Sequence, residues 1–75
     1  MEKKYRFIRI FQVSGGRGMK STDKAAYVVE NNKSGATLGF IEWYPQWRQY
    51  VFSPLDAIFS QDCLLDIVDF IKLLK

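Results

Sequence analysis

Histidine is absent from this 75-residue chain, and cysteine occurs once, at Cys63. The first shortage removes Ser-His-Asp and Cys-His nucleophilic sites, and the two together remove the usual zinc ligand sets. A lone cysteine makes no disulfide within its own chain, and secreted domains this small ordinarily depend on several, so a reducing cytoplasmic setting is expected. No apolar run approaches the roughly 18 residues of a membrane span. The start, Met1-Glu2-Lys3-Lys4-Tyr5-Arg6-Phe7-Ile8-Arg9, has the positive end of a signal peptide, but Arg6 and Arg9 break the apolar stretch that should follow. A soluble protein with no membrane contact is the expectation.

Large side chains are plentiful instead. The chain is 48% hydrophobic and 16% aromatic. Each buried ring removes on the order of 150 to 250 Å² from water, which compensates for the small core that so short a chain can build. One folded domain follows. Charge is uneven along it: residues 1–33 carry eight basic side chains against three acidic ones, and residues 34–75 carry three against five. The basic half suits phosphate or an acidic partner, or serves solubility alone.

Alternating aromatic and β-branched residues predict strands over residues 5–13, 25–31, 37–44 and 47–53. Between the first two lies a glycine-rich loop, residues 14–24. Its glycines and lysines invite comparison with phosphate-binding loops, yet Met19 stands where the Walker pattern needs glycine and Ser21 where the dinucleotide pattern does. Asn32-Lys33-Ser34-Gly35 supplies a hairpin turn, and Pro54 closes the fourth strand. A helix is predicted over residues 61–74. Ser60 is its cap, Asp62, Asp66 and Asp69 lie on one side, and Leu64, Ile67, Val68, Ile71 and Leu74 recur on the other. The expected fold is α+β: a four-stranded antiparallel meander with the C-terminal helix packed on one face.

Candidate chemistry is sparse. The three aspartates share a helix face at spacings of four and three, but no second carboxylate cluster completes a metal site, and a solvated acidic face explains them. Cys63, at the third helical position, has no base beside it and reads as a small buried thiol. Neither enzyme, cofactor nor metal is indicated.

The aromatic hairpin at residues 38–52 says more. With Pro45-Gln46 as its turn, Tyr44 faces Trp47, Glu42 faces Gln49 and Ile41 faces Tyr50. Gly39, Ile41, Trp43, Arg48, Tyr50 and Phe52 then share the helix-facing surface. Leu38, Phe40, Glu42, Tyr44, Trp47, Gln49 and Val51 share the other. Phe40, Glu42, Tyr44, Trp47 and Gln49 are therefore the candidate contacts for a protein partner or for a homodimer. The alternative is single-stranded nucleic acid stacking on the same rings, with Arg6, Arg9, Arg17, Lys20 and Lys24 tracking phosphates.

Leu38-Gly39-x-Ile41-x-Trp43-Tyr44-Pro45-x-Trp47-Arg48-Gln49-Tyr50-x-Phe52-x-Pro54, followed by Ile58-Phe59-Ser60 and Cys63-Leu64-x-Asp66-Ile67-x-x-Phe70, resembles a group of small uncharacterised proteins of bacteriophages and integrated mobile elements. The resemblance covers residues 35–74. It implies a bacterial or phage cytoplasmic origin and transfers no activity to any residue; the expected role, a non-catalytic accessory or adaptor protein of a mobile element, rests on the aromatic face and the missing catalytic residues.

Overall fold

Among the described residues five strands and one helix follow one another: β1 Glu2–Lys4, β2 Ile8–Val13, β3 Ala26–Asn31, β4 Thr37–Tyr44, β5 Gln49–Pro54 and α1 Gln61–Leu73. They come from a computed structural model that describes residues 2–13 and 25–74. The strands lie in sequence order in one sheet, every neighbouring pair antiparallel. The architecture is therefore α+β with a C-terminal helix, as expected, but the sheet has five strands and not four. The glycine-rich stretch at 14–24 lies outside the described residues.

The extra strand, Glu2–Lys4, lies before the expected first one, whose residues 5–7 form the turn that leads into β2. Residues 5–13 alternate without glycine, proline or asparagine, so nothing local announces a turn. The chain nonetheless reverses at Arg6-Phe7, closed by a bond from the Tyr5 N–H to the Ile8 carbonyl at 2.7 Å. The rest of the turn's support comes from far along the chain. The Asn32 amide donates to the carbonyls of Tyr5 (2.8 Å) and Arg6 (3.3 Å), and the Asn32 N–H donates to that of Phe7 at 3.0 Å. A long-range clamp overrides local strand propensity here.

Asn31 and Gly35 make the β3–β4 turn that holds this clamp. The Asn31 side-chain oxygen accepts from Lys33 and Ser34 N–H groups, while Gly35 takes φ 76°, which glycine adopts without penalty.

The β4–β5 turn is longer than expected. It uses four residues, Pro45 to Arg48, with the Trp47 N–H bonded to the Tyr44 carbonyl at 3.1 Å, the Arg48 N–H to that of Pro45 at 3.2 Å, and Arg48 at φ 53°. Tyr44 consequently faces Gln49, Glu42 faces Val51 and Ile41 faces Phe52. The register is two residues from the expected one. Because two residues is one full pleat period, the partition into faces survives. Leu38 and Arg48 are the exceptions: Arg48, expected on the helix-facing surface, is an exposed turn residue, and where the β3–β4 ladder shifts between Val29 and Glu30, Leu38, expected outside, packs partly against the core.

Ile8, Ile10, Tyr27, Val29 and Ile41 from the sheet meet Ile67 and Phe70 of the helix in the core. Ser60 caps the helix as expected, its hydroxyl accepting from the Cys63 N–H at 3.2 Å. The buried stripe is turned from the expected one. Cys63, Ile67, Phe70, Ile71 and Leu74 face the sheet, while Leu64 and Val68 stand outside. The Phe70 ring sets this rotation, because its large surface finds the Tyr27 ring edge-on at 5.2 Å.

The helix crosses the sheet between two anchors. At its start Phe59 meets Phe52 edge-on with centroids 5.3 Å apart. Near its end the Asp69 carboxylate accepts from the Tyr5 hydroxyl at 2.8 Å and from Lys3 Nζ at 3.3 Å. Asp69, expected on a solvated face, is thus a tether for β1. Its pKa is held below the usual carboxylate value, chiefly by the Tyr5 hydrogen bond and then by Lys3, while desolvation and the bond to Asp69 push the Tyr5 phenol upward.

Two outcomes are expected. A Cβ on Gly39 would lie 2.7 Å from the Phe52 ring and from the Ser53 carbonyl oxygen. Since backbone cannot yield cheaply, Gly39→Ala should cost about 1 to 3 kcal/mol in a urea melt. For Asp69, a depressed folded-state pKa contributes stability above the unfolded carboxylate value and loses it as pH falls through the folded one. The difference in melting temperature between wild type and Asp69→Asn should therefore be fullest near neutrality and shrink below about pH 4.

Candidate functional site

The face turned away from the helix carries alternate residues of β2 to β5. Register lines up Phe11 with Val28, Val28 with Phe40 and Phe40 with Ser53, all half-buried. Beside this row Arg9 faces Glu30 and is bound to it, with N···O distances of 2.7 and 3.0 Å. Such a face is neither a second core nor a fully polar surface.

Its aromatic end is built by the four-residue turn. Tyr44 is half-buried at the end of β4, and its ring meets Trp47 edge-on at 4.9 Å. Trp47 itself is 65% exposed. The left-handed backbone at Arg48 lets the chain re-enter β5 immediately afterwards, leaving the indole at the hairpin tip. Gln49, exposed, faces Tyr44 across the ladder.

Glu42 lies between Phe40 and Tyr44 in sequence and on the same face. It is only 7% exposed, and its Oε2 has no hydrogen-bond partner among the described residues. A buried carboxylate oxygen without a donor is costly, and a partner's N–H or ammonium group would relieve that cost. Of the five expected partner-binding residues, the fold therefore brings Phe40, Glu42, Tyr44 and Gln49 onto one face with Trp47 at its rim.

The expected nucleic-acid contacts do not gather in the same way. Arg9 is engaged by Glu30, and Arg6 sits in the β1–β2 turn against the Phe7 ring at 5.1 Å. Arg17, Lys20 and Lys24 lie outside the described residues. Arg6 instead borders an open hollow of about 450 Å³ lined also by Phe7, Asn31, Asn32 and Lys33. Sequence reading missed this hollow because two turns distant in the chain create it. The asparagine pair beside Lys33 was its one visible sign.

No protein-family model, curated protein or solved structure matches the chain. Among the described residues, no group of three or more cysteine, aspartate or glutamate side chains is placed to hold a metal ion, and no helix is long and apolar enough to cross a membrane.

Glu42 yields a direct expectation. Because it faces Val51 and leaves one oxygen unpaired in a buried position, Glu42→Leu should stabilise the fold by about 1 kcal/mol, seen as a higher denaturation midpoint at unchanged slope. A loss of stability would mean that the carboxylate contributes to the fold.

Proposed function

We propose that this chain is a non-catalytic accessory or adaptor protein of a phage or mobile element, working in the bacterial cytoplasm and binding a protein partner or a second copy through its outer sheet face. One observation carries this reading: Trp47, 65% exposed and braced edge-on by Tyr44 at 4.9 Å. A large ring held in place by a second ring offers contact area at little entropic cost, and tryptophan and tyrosine dominate binding energy at protein interfaces. Phe40 and Gln49 extend the contact. Glu42 favours a partner that brings a basic or amide group, because its Oε2 lacks a donor. The chain's lack of histidine and the packing of Cys63 on the core support a role without catalysis.

Single-stranded nucleic acid is the rival, favoured by Arg6 and Lys33 flanking the partly exposed Phe7. Glu42 and the Arg9–Glu30 pair weigh against phosphate on the outer face itself. Capture from bacterial lysate separates the two readings when wild type is compared with Tyr44→Ala/Trp47→Ala. A specific protein retained by wild type and lost by the double variant is the expected result. A labelled oligonucleotide bound at low salt and released as salt rises would replace it with the rival.

A further inference from the structure

Among the described residues the sheet has two unpaired edges, β1 and β5, and they differ in kind. Edge strand β1 has three exposed residues, Glu-Lys-Lys, with Lys3 tethered to Asp69. Short length and charge are how natural sheets block edge pairing. By contrast β5 has six residues, Gln-Tyr-Val-Phe-Ser-Pro, and no charge.

The ladder with β4 fixes which β5 groups face outward. The Leu55 N–H bonds to the Leu38 carbonyl at 2.9 Å, one step beyond the facing pair Gly39 and Pro54. In an antiparallel ladder hydrogen-bonded pairs alternate, so Gln49, Val51 and Ser53 direct their backbone groups at β4. Tyr50, Phe52 and Pro54 direct theirs at the open edge. Pro54, which has no N–H to offer, falls on the outward side and costs β4 nothing.

We propose that two copies of this chain pair antiparallel along β5, about a twofold axis at Val51. In that register Tyr50 of each copy exchanges N–H and carbonyl bonds with Phe52 of the other, which uses every outward N–H the strand has. The side chains also agree. Tyr50 lies across from Phe52, an aromatic cross-strand pair made twice, and Val51 meets its own copy. No like charges are opposed.

A second observation supports this register independently. Among the described residues outside the helix, the large apolar side chains exposed are Phe7 and, around β5, Ile58 (99%), Trp47 (65%) and Leu55 (41%). Trp47 precedes β5 and the other two follow it, so they stand at opposite ends of one strand. Antiparallel self-pairing centred on Val51 brings the hairpin tip of each copy alongside Leu55 and Ile58 of the other. Two apolar ends that water surrounds in a single chain would then cover each other. The pairing uses the sheet edge and leaves Phe40, Glu42 and Tyr44 of the outer face uncovered, but it shares Trp47 with the partner contact proposed above.

Sedimentation equilibrium of the full chain over a wide concentration range is the primary test, and a monomer–dimer equilibrium is expected. Val51→Lys places two like charges at the closest point of the twofold pair, while within one chain the new ammonium faces Glu42. It should weaken dimerisation about tenfold or more. In a Cys63→Ser background, Val51→Cys should cross-link two chains on mild oxidation, because non-hydrogen-bonded pairs bring Cα atoms to about 4.5 Å, within disulfide reach. The cross-link decides the matter if the lysine variant fails to fold. A chain that is monomeric throughout overturns the proposal. So does a dimer that ignores Val51→Lys and gives no Val51→Cys cross-link, whether it yields to Leu65→Lys on the helix or to nothing. Because Trp47 serves both contacts, the readings are told apart at Val51: a Val51→Cys cross-link formed by a chain that captures no protein from lysate supports the dimer alone, and capture by a chain that gives no cross-link supports the outer-face partner alone.

Discussion

One helix serves a sheet that has two faces, and the rest of the molecule follows from that imbalance. Thirteen helical residues extend about 20 Å, and five strands span about the same distance across the sheet. The helix can therefore reach from β5 to β1 once, and it does, with Phe59 set against Phe52 at one end and Asp69 tied to Tyr5 and Lys3 at the other. The inner face becomes the core. The outer face is left with side chains suited to partial cover: half-buried rings, a charged pair that satisfies itself, and Glu42.

Aromatic contact makes so small a core sufficient. Tyr27 meets Phe70 at 5.2 Å and Tyr50 at 6.2 Å, and Tyr50 in turn meets Trp43 at 5.4 Å, all edge-on. This chain of rings links the helix to β3, β4 and β5 without a disulfide. Burial, and then Tyr27, raise the Tyr50 phenol's pKa. The same packing leaves no room beside Gly39, where the Phe52 ring occupies the space a side chain would take.

Much of this was legible before any coordinates. Period-two alternation located β2 to β5, and Ser60 with the stripe after it located the helix. The division of the hairpin into two faces was readable despite a wrong turn length, because an error of two residues leaves side-chain direction unchanged. What could not be read were features decided across the chain. Asn32 folds the first strand at a place with no turn residues, and the bulge beside Val29 turns Leu38 inward. Phe70, and not Val68, faces the sheet because Tyr27 is there to receive it. At the candidate site, the surface membership of Tyr44 and Trp47 was visible, whereas the buried and unpaired state of Glu42 required the packed sheet.

The Asn32 clamp also orders events in time. Joining β3 to β4 and β4 to β5 needs only short hairpins, each closing a few residues of chain at small entropic cost. The β1–β2 turn has little of its own to hold it, and its side-chain support arrives only when the β3–β4 turn already presents the Asn32 amide. Thus β1 joins a nearly finished sheet. The expected order therefore has β1 docking last and fraying first, with its amide protons exchanging with solvent ahead of those in β3 and β4.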